Sequence, residues 1–265
     1  MSNFKHISAD LFVLYFFLPA ITVCVFLVSR IYYGKTKTPK IRFNIGEDLI
    51  YGNLVAPIVG LAMVLGIFSY ILNIYYFHQI RWELLTLFSI CFLTLIIGIG
   101  VGGHLTAISI ERTIPKVLNV GKTKELMYFF HMPFGHKLTY VPTFLVFYLL
   151  ILLDIFKGTS YRILGYQLLI LSIFSIAVGV LTSLVMIASN ISRLMFYTTA
   201  VISISILFVI GLESATLANH MVALFFSITF FTMSIILAIY RYVPPLSSYF
   251  QIYIDKKYDI DREID

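Results

Sequence analysis

Long uncharged stretches dominate the chain. A transmembrane helix needs about 20 residues to cross the ~30 Å hydrocarbon core of a bilayer, with ~17–25 the usual range. Six of seven uncharged runs reach that length, and the fourth, with 16 residues, reaches it by extending over Asp154 to Phe156. The runs are Leu11–Ser29, Leu49–Ile80, Leu84–Ile110, Leu138–Leu153, Ile163–Ser192, Leu194–Leu212 and Ser214–Tyr240. We therefore predict seven membrane spans.

The length of the runs also favours helices over a β-barrel. Barrel strands would be ~10 residues long and would alternate in polarity, whereas a helix satisfies all its backbone amides within one continuous apolar segment. The predicted fold class is all-α, a polytopic integral membrane bundle. Residues 1–245 form the seven-helix transmembrane domain, and residues 246–265 form a cytoplasmic interfacial tail.

Composition supports this interpretation. Hydrophobic residues make up 60% of the chain and charged residues only 12%, about half the share found in soluble domains. The sequence therefore predicts a multi-pass integral membrane protein, with the cell membrane as the favoured location. Cys24 and Cys91 lie inside apolar runs and are interpreted as small buried hydrophobic residues.

The distribution of basic residues predicts the orientation. Fifteen of the nineteen Lys and Arg residues fall in residues 30–48, residues 111–137, the turn at Arg193 and the tail from Arg241. Basic connections mark the cytoplasmic side of a membrane, so we place the N-terminus outside and the C-terminus inside. The net charge of +6 then faces anionic lipid rather than nucleic acid. The predicted partners are the lipid bilayer and, as an alternative, other membrane subunits.

Three of the six histidines cluster at one predicted edge of the bilayer. His104 is the 21st residue of the third run, and His131 and His136 precede the fourth run on the same side. Three imidazoles are a common ligand set for a catalytic metal that keeps an open coordination position. We predict that His104, His131 and His136 bind zinc or iron; the alternative is that they are structural or interfacial residues.

The local spacing refines this site. His131 and His136 are five residues apart across Pro133 and Gly135, which favours a turn over a helix. Glu111 is the candidate catalytic residue, although it lies two helical turns after His104. The axial separation of roughly 10 Å is too large for both to ligate one ion without a bent helix end. Gly98-xxx-Gly102, with Gly100 and Gly103 beside it, predicts close helix packing next to His104.

Two further polar groups carry alternatives. Asp154, Glu213 and His220 lie at the opposite edge, either as a proton or cation mouth or as an ordinary polar turn. The hydroxyls of the fifth span, among them Ser175 and Ser183, either line a polar path or bond to their own helix. In both cases the structural alternative is favoured.

Three functions remain compatible with the sequence, and enzymatic activity is not decided by it. The first is a membrane-embedded metal-dependent enzyme that acts on a lipid-like or apolar substrate at the cytoplasmic boundary. The alternatives are a non-catalytic subunit or assembly factor, and a transporter or proton- or ion-linked carrier. The chain lacks HExxH, Walker A, GxSxG and CxxC motifs. The last spans offer only His220, without the terminal His-x-x-x-His of seven-span hydrolases similar to alkaline ceramidases.

Overall fold

The protein is helical throughout the part of the chain that the structure describes. The computed structural model describes residues 21–22, 56–74, 80–113, 121–157, 165–189, 191–213 and 217–243. Its helices are α1 (Ala56–Ile74), α2 (Ile80–Thr113), α3 (Lys122–Phe129), α4 (Lys137–Lys157), α5 (Gly165–Ala188), α6 (Ser192–Glu213) and α7 (Met221–Tyr242). A π-helix, Phe130–His136, joins α3 to α4, and a 3-10 turn, Leu217–Asn219, precedes α7.

Five of these elements are long and apolar enough to cross a membrane. They are Arg81–Ile110, Glu125–Phe156, Gly165–Ile187, Ser192–Glu213 and Met221–Tyr242. Helix α1 contains a shorter apolar segment, Pro57–Phe68. These helices indicate a helical membrane protein, in agreement with the sequence.

Parts of the predicted topology lie outside the described residues. Only Ile21 and Thr22 of the predicted first span are described, and both are helical. The predicted tail, residues 246–265, is not among the described residues. The count of seven spans and the orientation therefore stay predictions.

The fourth apolar element begins earlier than its uncharged run. The described chain is continuously helical from Lys122 to Lys157, through α3, the π-helix and α4. The uncharged run starts only after Lys137 because that residue is charged, but Lys137 is exposed. An exposed lysine on a membrane helix can extend its ammonium group towards the headgroups, so the charge does not end the helix. Both His131 and His136 consequently lie within the helical element.

Helix α7 forms the centre of the described part of the bundle. Helix α7 packs against α4, α5 and α6, and more of it is buried than of any other membrane-crossing segment described. It lies close to α5 at Gly179, where an added Cβ would lie 2.7 Å from Cβ of Thr232. Small residues allow membrane helices to approach closely in this way.

Helix α2 lies at the edge of the described bundle and packs mainly against α4. It is the least buried of the five segments, and it presents Trp82, Phe88 and Phe92 outward, each with more than half of its surface exposed. Large exposed aromatic and aliphatic side chains over most of a helix are rare on a soluble protein. A hydrocarbon surrounding accounts for them.

Candidate metal centre

Two glycines of α2 bring its backbone against the π-helix and α4. A Cβ added at Gly100 would lie 2.8 Å from the carbonyl carbon of Leu138, and one at Gly103 would lie 3.2 Å from the ring of Phe134. Gly98 and Gly102, by contrast, have no atom within 4 Å of an added Cβ. The close packing predicted from the glycine-rich segment is present, but Gly100 and Gly103 form it rather than the Gly98-xxx-Gly102 pair.

A third glycine completes the contact from the other side. A Cβ added at Gly135 would lie 2.7 Å from Cβ of His104 and 2.8 Å from the carbonyl oxygen of Phe130. These distances are shorter than any side chain tolerates without movement of its neighbours. The backbone at Gly135 is therefore pressed against His104, which carries the His104 ring onto the π-helix.

The π-helix explains why His131 and His136 lie together. Residues five apart in an α-helix are turned about 140° from each other, but a π-helix closes its hydrogen bonds between residues i and i+5. Within the π-helix the two ring centroids are 5.7 Å apart. Pro133, inside this segment, has no N–H to donate to an α-helical ladder. The segment is thus helical and not the turn that the spacing favoured, and the π-helix brings the same two residues together.

The three imidazoles converge where α2 packs against the π-helix and the start of α4, a contact that we call the seam. The ring centroid of His104 lies 4.8 Å from that of His131 and 4.7 Å from that of His136. One ring nitrogen from each histidine can be chosen so that all three lie within 4.8 Å of one another. His136 is buried, and His104 and His131 are partly buried.

The hydrogen bonds of His136 determine which of its nitrogens faces the cluster. Its Nδ1 lies 3.1 Å from the carbonyl oxygen of Ser189, and since a carbonyl only accepts, Nδ1–H is the donor. In the neutral ring Nε2 then carries a lone pair, and it lies 2.9 Å from Nε2 of His104. Metal-binding histidines commonly donate their second N–H to a carbonyl in this way, which fixes ring and tautomer.

The carbonyl that orients His136 is available because α5 ends there. Ser189 follows the last residue of α5 and is buried, and the last carbonyls of a helix have no partner within it. Sequence reasoning missed Ser189, because any residue type supplies a carbonyl. The one signal in the sequence was the end of the fifth run near the same predicted edge as the histidines.

The nitrogen separations bracket the value expected around a single tetrahedral ion. Ligand nitrogens about 2.0–2.1 Å from a tetrahedral zinc lie about 3.3 Å from each other. The His104–His136 pair is slightly closer than this, at 2.9 Å, and the widest separation in the cluster is 4.8 Å. The donor set, three imidazoles without a thiolate, suits zinc or iron.

The structure leaves the predicted role of Glu111 untested. Its backbone belongs to α2, seven residues after His104, but its side chain is not among those described. Straight α-helix between the two residues corresponds to about 10 Å along the axis. The other acidic residue in this region, Glu125, is exposed at the start of α3.

The polar group at the opposite edge is a structural contact between α4 and α7. The carboxylate of Asp154 accepts a hydrogen bond from the Ala223 N–H at 2.9 Å, and His220 Nδ1–H donates to the Asp154 carbonyl at 2.9 Å. Both Asp154 and His220 are buried. A carboxylate at the N-terminus of a helix offsets the positive end of its dipole. This arrangement favours the structural alternative over a cation mouth.

Two hydroxyls of the fifth span, those of Ser175 and Ser183, bond within their own helix. Ser175 donates to the Leu171 carbonyl at 2.6 Å, and Ser183 donates to the Gly179 carbonyl at 2.8 Å. Both side chains are fully buried. These bonds favour helix packing over a polar path through α5.

Comparison with known proteins adds no family to this description. The chain matches no protein-family model, and neither curated proteins nor solved structures show significant similarity to it.

Proposed function

We propose that this protein is a membrane-embedded, metal-dependent enzyme that acts on a lipid-like substrate at the cytoplasmic boundary of the membrane. The observation that carries the proposal is the convergence of His104, His131 and His136. These residues are up to 32 positions apart in the chain and come from α2 and the π-helix. Close glycine contacts hold both elements in place.

The residues of the chain provide a ligand set with room for one more ligand. His136 is held by Ser189 with its Nε2 directed at His104, so the nitrogen that would bind the ion faces the cluster. Three protein nitrogens leave a fourth coordination position for water or substrate. A zinc or iron ion bound there would act as a Lewis acid and lower the pKa of bound water. Glu111 is the proposed acid or base, acting from beyond the ligand shell.

The position of the histidines supports a lipid-like substrate. His104 lies six residues before the end of the apolar segment Arg81–Ile110, about 9 Å along the helix axis. This segment belongs to α2 and is the least buried of the five apolar segments, and its outer face is apolar. A substrate with a polar group at the boundary and an apolar remainder in the bilayer would reach this depth directly.

Lipid turnover by the purified protein tests the proposal. Wild type, His104→Ala and His220→Gln are reconstituted in bilayers made from total cell lipids, and the lipids are compared over time by mass spectrometry. We expect wild type and His220→Gln to convert at least one lipid species and His104→Ala to convert none. Conversion at the wild-type rate by His104→Ala would overturn the proposal, as would unchanged lipids with metal-loaded wild type.

A further inference from the structure

A concave groove lies between α2, which carries His104, and α4, which follows the π-helix in the chain. It has a volume of about 580 Å³ and is lined by side chains of α2 and α4. Volumes of ~300–1,000 Å³ are typical of sites that hold small molecules. The lining residues are Phe88, Ser89, Phe92, Leu93, Leu145, Tyr148 and Leu149.

The chemistry of the groove fits hydrocarbon. Apart from Ser89 and Tyr148 its lining side chains are aliphatic or aromatic, and the Tyr148 hydroxyl is hydrogen-bonded to Ser205 of α6. Phe88 and Phe92 have more than 60% of their surface exposed on the outer face of α2. A cleft on the apolar face of a membrane helix is open to the bilayer interior, which consists mainly of acyl chains.

The distance from the groove to the histidines matches the hydrocarbon thickness of one leaflet. Leu145 follows His136 by nine residues, about 13 Å along the axis, and Leu93 precedes His104 by eleven residues, about 16 Å. Half of the ~30 Å hydrocarbon core is about 15 Å. A chain that begins at the headgroup boundary beside the histidines therefore reaches the near end of the groove with its last methylenes.

Between the two regions α2 and α4 are in close contact. Gly100 is in contact with the Leu138 backbone there, so a chain would lie along the outer surface of the seam before entering the groove. Gly98 and Gly102, two residues to either side of Gly100, have open space where a Cβ would be added. Both glycines are exposed.

We propose that the groove holds the distal end of the acyl chain of a lipid whose polar headgroup lies at His104, His131 and His136. Acyl lipids are then the substrate class of the site. This inference rests on the proposed function, because it assigns the groove to the substrate of the histidine centre.

Site-directed photolabelling tests the inference without knowledge of the headgroup. Cells that express the protein are fed one of two palmitic acids, which carry a diazirine near either the methyl end or the carboxyl end, and incorporate them into their own lipids. After irradiation the labelled peptides are identified by mass spectrometry. We expect the methyl-end probe to label Leu145–Leu149 preferentially and the carboxyl-end probe to label the region Phe130–His136.

A matched pair of variants separates the groove from the general lipid surface. Leu93→Trp places a large ring in the groove, whereas Leu95→Trp makes the same change at a side chain that is 64% exposed and does not line it. We expect Leu93→Trp to lower methyl-end labelling of Leu145–Leu149 severalfold and Leu95→Trp to leave it unchanged. Equal labelling in both variants would overturn the inference, because the label would then report surrounding lipid only.

Two further outcomes are decisive. Methyl-end labelling of the groove without carboxyl-end labelling near His131 would overturn the inference, since the bound chain would not extend from the histidine centre. His104→Ala distinguishes this failure from failure of the proposed function. We expect His104→Ala to lose metal and turnover while it keeps the methyl-end labelling of Leu145–Leu149, because the groove lies a leaflet away from the ligands.

Discussion

At the scale of single residues, His136 connects the site to the rest of the fold. Its Nδ1–H donates a hydrogen bond to the Ser189 carbonyl, and its Nε2 lies 2.9 Å from Nε2 of His104. It is also the most buried of the three histidines. His131 is partly buried and contacts the other two through ring edges. Removal of the His136 side chain should therefore affect the stability of the protein differently from removal of the His131 side chain.

We expect His136→Ala to destabilise the metal-free protein and His131→Ala to affect it less. Removal of His136 leaves the buried Ser189 carbonyl without its donor, a loss of about 1–3 kcal/mol. Thermal unfolding in detergent after chelation measures the difference. Both variants should also lose bound metal. An equal unfolding temperature for the two metal-free variants would contradict the role assigned to the Ser189 contact.

Asp154 gives a residue-scale prediction at the other end of α4. Asp154→Ala removes the acceptor of the Ala223 N–H, and we expect a loss of about 1–3 kcal/mol in stability. Asp154→Asn, which retains a carbonyl oxygen, should recover part of that loss. Metal content should be unchanged in both, because Asp154 lies about 27 Å along the axis from His136. Metal loss in Asp154→Ala would show that the two ends are coupled.

At the scale of elements, the seam between α2 and the π-helix creates the site. A Cβ at Gly100, Gly103 or Gly135 would collide with the facing element, so each glycine permits the close approach. The π-helix then turns His131 towards His136. Both features are required to bring the three rings together. The glycine contacts bring α2 close enough for His104 to reach the π-helix, and the π-helix places His131 beside His136.

A pair of glycine substitutions tests the seam. Gly100→Ala places a methyl group 2.8 Å from the Leu138 backbone, whereas Gly98→Ala meets nothing within 4 Å. We expect Gly100→Ala to lose about 1–3 kcal/mol, as overpacked positions do, and to bind metal more weakly. Gly98→Ala should be neutral or stabilising, since alanine favours a helix interior. Unfolding temperature and metal affinity measure both, and equal effects would contradict the described packing.

The sequence predicted the long apolar helices and the grouping of the three histidines, but not how their rings contact one another. Uncharged runs locate α2, α5, α6 and α7, because a membrane-crossing helix excludes charge over a fixed length. A spacing of five between His131 and His136 is compatible with either a turn or a π-helix, and only packing against His104 decides between them. The Ser189 carbonyl has no signature in its side chain. Residue type also does not distinguish Gly98 from Gly100, since their difference depends on which face of α2 meets α4.

At the scale of the whole molecule, the histidine centre joins three elements of the bundle. His104 comes from α2, His131 and His136 from the π-helix, and the supporting carbonyl from the end of α5. An ion held there would link helices that are otherwise associated by apolar packing. The alternative role as a subunit or assembly factor stays a prediction, since the contacts of the described bundle do not test it.

Metal removal should therefore lower the stability of the whole bundle. A ligand present at 100 times its dissociation constant stabilises the native state by about 2.7 kcal/mol. We expect chelation to lower the unfolding temperature of wild type, and added zinc or iron to restore it. His104→Ala should show no change on chelation. An unfolding temperature of wild type that is insensitive to chelator and metal would contradict a linking role for the site.

The most direct test of the central claim is the metal content and ligand environment of the purified protein. Elemental analysis with X-ray absorption should find about one zinc or iron per chain with imidazole nitrogens at about 2.0–2.1 Å. The same measurement on His104→Ala should find none, and on His220→Gln the wild-type amount. Wild type without zinc or iron, or His104→Ala with unchanged metal, would contradict the account.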